Sequence, residues 1–573
     1  MKIKDNLYHV LLTAIFAVAI FLFWTFKYPQ AIAFQEQFQL FRTTTDYFVE
    51  SLSLPGGLAC YVSEFLVQFY NIIPVGAVII SLLFTALQWA CWKLIKRYFE
   101  ESNTLYPLSF IPSIGLWIVV GDYNVMPAFV VSLLVVVMCF AFLSHNKPYT
   151  RILSIVAVPV IYWICGSVVA VFILCAVLSL VRKKCYMQAV VSLGLLSLIL
   201  VACVIGSSFV AHYQLSCLFK GLFYYRYPDI LKPSMVVVAL LPALILLLPQ
   251  VKCRRKLTLV STVAVALLGV LFVPRGFDEK TYEMMDYDYL VRTHRWNDII
   301  RKAEKNMPDL PMSVSATNLA LGMEGELGDR GFEFYQNGMG GLLPPFEKLF
   351  TSQLVTAETY FLLGLTNTAQ RLSFETMECL PNYKKSCRIV KRLAETNLIN
   401  GQYGVARKYL LLLENTLFYK KWAQKTMALL GNEAAINRHP LYGKMRKFRL
   451  EEDFLFSDSE QDKILARLFV KDNDNRLALQ YMMFAPLLQC DLGKFADYFS
   501  LVVNHVDYNP ISSQQAMAMI YSQKNEMPPQ GLISEPVLRQ FSNFVRTMQS
   551  GGSNIVASGI GKDTFWNYFV TKH

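Results

Sequence analysis

The sequence predicts an all-α protein in two parts. A polytopic bundle of about nine transmembrane helices occupies residues 1–274, and an extracytoplasmic α-solenoid of stacked helical hairpins occupies residues 275–573. Three observations predict it. The chain is 54% hydrophobic and only 17% charged, too apolar for a water-soluble globule of 573 residues. Long apolar runs alternate with clusters of Lys and Arg. After Pro274 the pattern changes to helical amphipathicity broken by short Gly- or Asn-containing turns, with almost no strand alternation.

Charge fixes the orientation. The net charge is +12, but residues 1–274 hold 19 Lys+Arg against 9 Asp+Glu, while residues 275–573 hold 35 against 33. Fourteen of the 19 cations fall at the edges assigned to the cytoplasm, where they set topology and meet anionic head groups. The excess is therefore a membrane signal, and no nucleic-acid partner is expected. The cluster Lys252, Arg254, Arg255, Lys256, followed by the apolar run Leu257–Pro274, places everything beyond Pro274 on the far side of the bilayer.

Lys2 and Lys4 precede Val10–Phe26, which approaches the ~20 residues needed to span and reads as an uncleaved signal anchor. Ala31-Ile-Ala33 resembles a signal-peptidase site, but the run before it exceeds the roughly 7–15 residues of a signal-peptide core. Residues 27–70 form a first outer loop. Its aromatics interleave with Glu36, Arg42, Asp46, Glu50 and Glu64, which predicts one or two amphipathic interfacial helices with Pro55-Gly56-Gly57 as the turn between them.

Next come Ile72–Trp92, then Leu105–Val120 and Val125–Leu143 joined by Gly121-Asp122-Tyr123-Asn124. Ile152–Ile164 and Ser167–Val181 are each short, so the pair is either a spanning hairpin or re-entrant, with the same parity. Ala189–Ser208 goes out, Met235–Leu248 returns, and a second outer loop between them, 209–234, combines Lys220, Tyr224 and Arg226. Such a composition suits an interfacial aromatic belt or a grip on a phosphate and a sugar face. Most of the 12 cysteines sit in apolar runs as small hydrophobes. Cys379 and Cys387 flank a short loop on the oxidising side, a spacing that fits either a disulfide or two free thiols.

In the C-terminal half, Gly401, Tyr403 and Ala406 reproduce the turn and second-helix start of a tetratricopeptide repeat, and similar turns recur at His294-Arg-Trp296, Gly325-Glu-Leu327 and Leu492-Gly-Lys-Phe495. A bulky residue wedges between the paired helices and a small one lets them approach; such units bury their faces only by stacking. Residues 445–460 and 551–561 read as linkers, and the aromatic stretch Phe565–Phe569 is expected to pack the terminus back onto the repeats.

No zinc spacing, phosphate-binding Gly loop, nucleophile elbow or kinase signature is present. The candidate catalytic residues are the outer-face carboxylates Asp46, Glu50 and Asp122, because a desolvated interfacial carboxylate can act as general base or metal ligand. The same residues fit a plainer account, in which Asp46 and Glu50 face water on an interfacial helix and Asp122 opens a turn.

This layout resembles the C superfamily of glycosyltransferases, multi-pass enzymes that use polyprenyl-linked sugars. Their first outer loop is long, amphipathic and acidic, and the oligosaccharyltransferase branch adds an acidic residue between the third and fourth spans. Asp46 or Glu50, and Asp122, match those positions topologically. A membrane half followed by tetratricopeptide-like repeats is also similar to the TMTC-type protein O-mannosyltransferases. The chain departs from the pattern in lacking an adjacent Asp-Glu pair, an Asp-x-Asp, and the larger number of spans. As a whole it also resembles an uncharacterised multi-pass family of Bacteroidota with the same tail.

The resemblance implies a protein of the bacterial inner membrane, N-terminus cytoplasmic and repeats periplasmic. It implies that Arg42, Lys220 and Arg226 hold the phosphate of a lipid-linked sugar, with Tyr224 beside them, that Asp46 deprotonates an acceptor hydroxyl, and that Asp122 orients the acceptor or holds a divalent cation. The repeats would present a polypeptide acceptor. The rival expectation is a non-enzymatic envelope scaffold whose repeats recruit a protein partner. Transport ranks third, because the spans carry no internal charges.

Overall fold

A computed structural model describes residues 2–99, 102–143, 149–222, 224, 232–250, 255–346, 350–380, 384–451, 460–503, 508–549 and 562–572. Throughout these residues the chain is helical, with no strand among them. It divides into two compact units: Met1–Glu283 with Met377–Val390 and Leu411–Gln424, and Met284–Thr376 with Lys391–Leu410 and Lys425–His573.

In the first unit every apolar run is a helix. They are α1 (Lys2–Leu22, ending in a π-turn Phe23–Lys27), α2 (Pro29–Gln35), α3 (Thr45–Leu52), α4 (Gly57–Val67), α5 (Ile73–Tyr98), α6 (Ile111–Val120), α7 (Pro127–Leu143), α8 (Tyr149–Cys165), α9 (Val169–Arg182), α10 (Tyr186–Ser208), α11 (Leu215–Lys220), α12 (Pro233–Leu244) and α13 (Arg255–Phe272). Among the described residues, six segments are long and apolar enough to cross a membrane, with shorter apolar helices at Pro127–Leu143 and Pro233–Leu247. Ile152–Arg182 is one of the six, a single 31-residue apolar stretch interrupted at Gly166, whose φ of +60° turns the chain between α8 and α9.

Local chemistry explains the boundaries. Pro74 sits in the first turn of α5, where a missing N–H is harmless, and Lys96 and Arg97 lie in the last turn, where cations favour the helix dipole. Arg182, at the end of α9, donates to the carbonyls of Leu246 and Leu248 at 2.8 and 2.7 Å and to Tyr98 at 3.3 Å, over the Phe99 ring. One guanidinium thus caps the C-terminal carbonyls beyond α5 and α12 and gathers three helix ends.

The opposite ends meet through glycines. Gly56, at φ +75°, donates to the Trp163 carbonyl at 2.8 Å, and a Cβ there would sit 2.5 Å from the Gly221 oxygen. Gly166 and Gly221 approach as closely, so the α8–α9 turn, the Pro55-Gly56-Gly57 turn and the start of the second loop converge. Trp163 Nε1 donates to the Leu52 carbonyl at 2.9 Å and Tyr224 Oη to the Pro55 carbonyl at 2.6 Å. Two helices, α3 and α4, flank the Pro-Gly-Gly turn where one or two were expected; α2 precedes them, its Ile32 and Phe34 buried.

The second unit begins within α14 (Glu279–Arg292). It continues through α15 (Trp296–Lys305), α16 (Pro311–Glu324), α17 (Leu327–Arg330), α18 (Phe350–Leu363), α19 (Thr366–Glu378), α20 (Cys387–Ile399), α21 (Tyr403–Glu414), α22 (Lys420–Met427), α23 (Glu433–Arg438) and α24 (Pro440–Phe448). The remainder are α25 (Gln461–Lys471), α26 (Arg476–Leu488), α27 (Leu492–Val502), α28 (Ile511–Lys524), α29 (Glu535–Gln549) and α30 (Phe565–Lys572). Parts of α19 to α22 belong to the first unit.

The four turns singled out in the sequence join consecutive helices through a residue of positive φ: His294, Gly325, Gly401 and Cys490. Ala406 and Phe495, the packing residues of two of them, are fully buried. The terminal aromatics pack back as expected. Phe565 and Trp566 are fully buried, and Trp566 Nε1 donates to the Gln515 carbonyl at 2.8 Å.

One expectation needs correction. Residues 445–448 are the last turn of α24 rather than linker, because Met445 and Phe448 face the core; 452–459 and 551–561 lie outside the described residues. Cys379 lies half-buried just beyond α19, and Cys387 is buried in the first turn of α20.

Candidate functional site

The first outer loop carries most of the predicted site residues, and their placement follows from the start of α3. Thr44 caps that helix by accepting from the Tyr47 amide, which puts Asp46 in the first turn, exposed, where a carboxylate complements the helix dipole. Glu50 is exposed one turn later and pairs with Arg42 at 3.1 Å. The Arg42 guanidinium also lies 4.8 Å from the centre of the Tyr47 ring.

The more deeply buried of this loop's two buried carboxylates is Glu64, only 2% exposed, against 4% for Glu36. On α4, Gly57, Cys60, Ser63, Glu64 and Val67 share the buried face. Glu64 takes the Tyr47 phenol on one oxygen and the Lys384 ammonium, at 2.9 Å, on the other. Burial, and then the adjacent carboxylate, raise the Tyr47 phenol well above its ordinary range. For Lys384, burial works against the charged form, but Glu64 outweighs it and the pKa is raised. Burial and Glu64 likewise push the Cys60 thiol up to about 12. Tyr47 and Lys384 thus hold their protons against the two oxygens of Glu64, and the carboxylate is engaged within the chain rather than open to substrate.

Around this core the loop grips two later segments of the same unit. Arg388 Nη1 donates to Gln37 Oε1 at 2.9 Å, and the Thr43 amide and hydroxyl donate to the Asn415 carbonyl at 2.9 and 3.1 Å. Tyr419 Oη donates to the buried Glu36 carboxylate at 3.4 Å, and Phe69 meets Phe418 edge-on. Gln39 Nε2 donates to the Glu64 carbonyl at 2.8 Å. The result is a clasp: the outer loop closes on 384–390 and 415–419.

The other predicted residues lie elsewhere. Asp122 accepts from the Asn124 amide at 3.0 Å, as a turn-opening Asp does, and its second oxygen pairs with Lys232. Tyr224 is buried with its hydroxyl on the Pro55 carbonyl, Lys220 is half-buried in the last turn of α11, and Arg226 lies outside the described residues. Tyr224 and the first loop are brought together; Asp122 and the pair Arg42–Glu50 are each satisfied by separate partners.

The second unit repeats the same device. Asp462, fully buried, accepts from Tyr498 at 2.6 Å and faces Lys494 at 3.4 Å. Arg392, stacked 3.5 Å over the Phe361 ring, bridges buried Glu358 and Glu395 at 2.6 and 2.9 Å. Tyr403, which follows the Gly401 turn, bonds both Glu433 and Arg446 through its hydroxyl. No group of three His, Cys, Asp or Glu poised for a metal occurs among the described residues.

Sequence reasoning passed over Glu64, Lys384 and Tyr47. The signal for Glu64 was present, since i, i+3, i+4 and i+7 spacing puts it on the apolar side of its helix with Cys60 and Val67. Lys384 had none.

The chain belongs to a family of unknown function, DUF6057, whose model matches residues 6–572. No curated protein and no solved structure matches it.

Proposed function

We propose that this protein is a non-enzymatic, membrane-anchored scaffold of the cell envelope. Its apolar helices sit in the bacterial inner membrane with the N-terminus cytoplasmic, and its tetratricopeptide-like repeats bind a protein partner in the periplasm. The observation that carries the reading is how the outer-loop carboxylates are used: Glu64 engages Tyr47 and Lys384, Glu50 engages Arg42 and Asp122 engages Lys232, while Asp46 is exposed in the first turn of α3, where it complements the helix dipole. A transferase keeps its base and phosphate-binding groups open to substrate.

The grouping of helix ends supports the topology. Arg182 gathers the ends of α5, α9 and α12, which charge parity assigns to the cytoplasm, while Gly56, Gly166 and Gly221 meet at ends assigned to the periplasm. The test is complementation of a deletion strain, with protein level monitored. Asp46→Asn, Glu50→Gln and Asp122→Asn, singly and together, are expected to restore the wild-type phenotype with unaltered envelope glycoconjugates. Loss of a glycan with any of these variants would overturn the scaffold reading.

Lipid-linked glycosyl transfer remains the second reading, favoured by one observation: an apolar groove among α1, α6 and α13 of a size for a hydrocarbon chain. None of the candidate carboxylates lines it.

A further inference from the structure

The groove has a volume of about 470 Å3 and runs about 17 Å along α1 from Leu12 to Phe23, at 1.5 Å per residue. α1 and α13 form its walls and run in the same direction, for Tyr8 bonds Thr262 in the N-terminal half of each helix and Phe23 meets Phe277 beyond their last turns. α6 and the turn before it form the floor, with Phe110 and Trp117. Its size falls within the ~300–1,000 Å3 of small-molecule sites.

Three features separate it from an ordinary seam between apolar helices. It is closed at one end by the Tyr8–Thr262 bond and the neighbouring pair Thr13–Tyr106. Its other end is cationic. There α1 unwinds into the π-turn Phe23–Lys27, Lys27 Nζ lies 5.8 Å from the Phe23 ring, and Arg275 follows Pro274 at the end of α13. Of the acidic residues that follow, Asp278 is engaged by Thr281. Lastly, Trp117 is over nine-tenths buried and lines the groove, yet its indole N–H has no acceptor, a costly state for a buried donor.

The geometry points to a binding site for one acyl chain of an anionic glycerophospholipid. Its phosphate lies at the Lys27 and Arg275 end, and an ester or phosphate oxygen accepts from Trp117. Apolar walls suit the chain, and two cations with one unmatched donor suit the head. This inference rests on the membrane placement proposed above and is independent of whether the chain is an enzyme.

The test uses the full-length protein in nanodiscs containing phosphatidylglycerol with a photoactivatable group on one acyl chain. Cross-links are expected to concentrate on residues 12–23, Trp117 and 262–274. Gly269→Leu projects into the groove, and a Cβ there meets only Ile114, at an ordinary 3.7 Å. It is expected to reduce labelling about five-fold or more with thermal stability retained. Ala266→Leu serves as a second blocking variant. Lys27→Gln with Arg275→Gln should reduce labelling by phosphatidylglycerol but not by phosphatidylcholine.

Labelling spread evenly onto the exposed face of α10 at Val190 and Leu198, unchanged by either blocking variant, would overturn the site. So would displacement of the probe by polyprenyl phosphate but not by phosphatidylglycerol. Carbonate extraction of native membranes separates the two levels: release of the protein refutes the membrane placement itself, whereas retention with unspecific labelling refutes only the groove.

Discussion

Removing the Lys384 ammonium leaves the Glu64 carboxylate buried with Tyr47 as its remaining donor, and uncompensated buried charge is among the costliest single changes. Lys384→Ala is expected to destabilise the clasp by about 3–5 kcal/mol, and pairing Lys384→Met with Glu64→Leu to recover much of that. Limited proteolysis at 384–390 would read both. The pH dependence has a definite sign. Lys384 and Tyr47 each hold their proton to higher pH when folded, so the folded state binds more protons above their ordinary values of 10.5 and 10.0. The cluster's contribution is therefore complete below about pH 10 and falls as pH rises through the folded values. Protease sensitivity at 384–390 that rose instead on moderate acidification would contradict this. Asp46 is the contrast: exposed in the first turn of α3, it contributes through the helix dipole, and Asp46→Asn should cost about 0.3–1 kcal/mol and no activity.

At the scale of elements, turns that look alike in sequence carry different loads. Gly401 and Gly56 both lie at φ +75°, but a Cβ at Gly401 meets nothing within 4 Å, whereas at Gly56 it meets the Gly221 oxygen at 2.5 Å. Gly401→Ala should therefore cost only the left-handed strain, about 1 kcal/mol. Gly56→Ala adds displacement of the second outer loop, for a total nearer 3 kcal/mol, and the two thermal shifts should differ accordingly. Helices were the most legible elements, because apolar runs and Gly-Tyr-Ala spacing report local structure. The pairing of loops was not legible. Tyr224 looked like a sugar-stacking residue because its partner is a backbone carbonyl at Pro55, and a carbonyl leaves no mark in a sequence.

At the scale of the molecule, the apolar helices of the N-terminal half were legible because hydropathy acts over whole segments. Alkaline phosphatase and GFP fusions at Asn124 and Lys184 should report opposite sides, periplasmic and cytoplasmic, and the same side at both would refute the charge parity. The grouping of 384–390 and 415–419 with the first unit was not legible, because 337 residues separate Tyr47 from Lys384. Candidate-site residues were chosen by charge type and loop position, and the carboxylates that the fold buries proved to be others in the same loop, Glu64 and Glu36 in place of Asp46.

Hydrogen exchange on the full-length protein tests the clasp most directly, comparing wild type with Lys384→Ala. The account predicts slow exchange at 384–390 and 411–419 in wild type. It predicts faster exchange in the variant at those segments and at α3 and α4, with α26 in the second unit unaffected. Exchange in the variant that matched wild type at all four would contradict it, and the outer-loop carboxylates would again be candidates for chemistry.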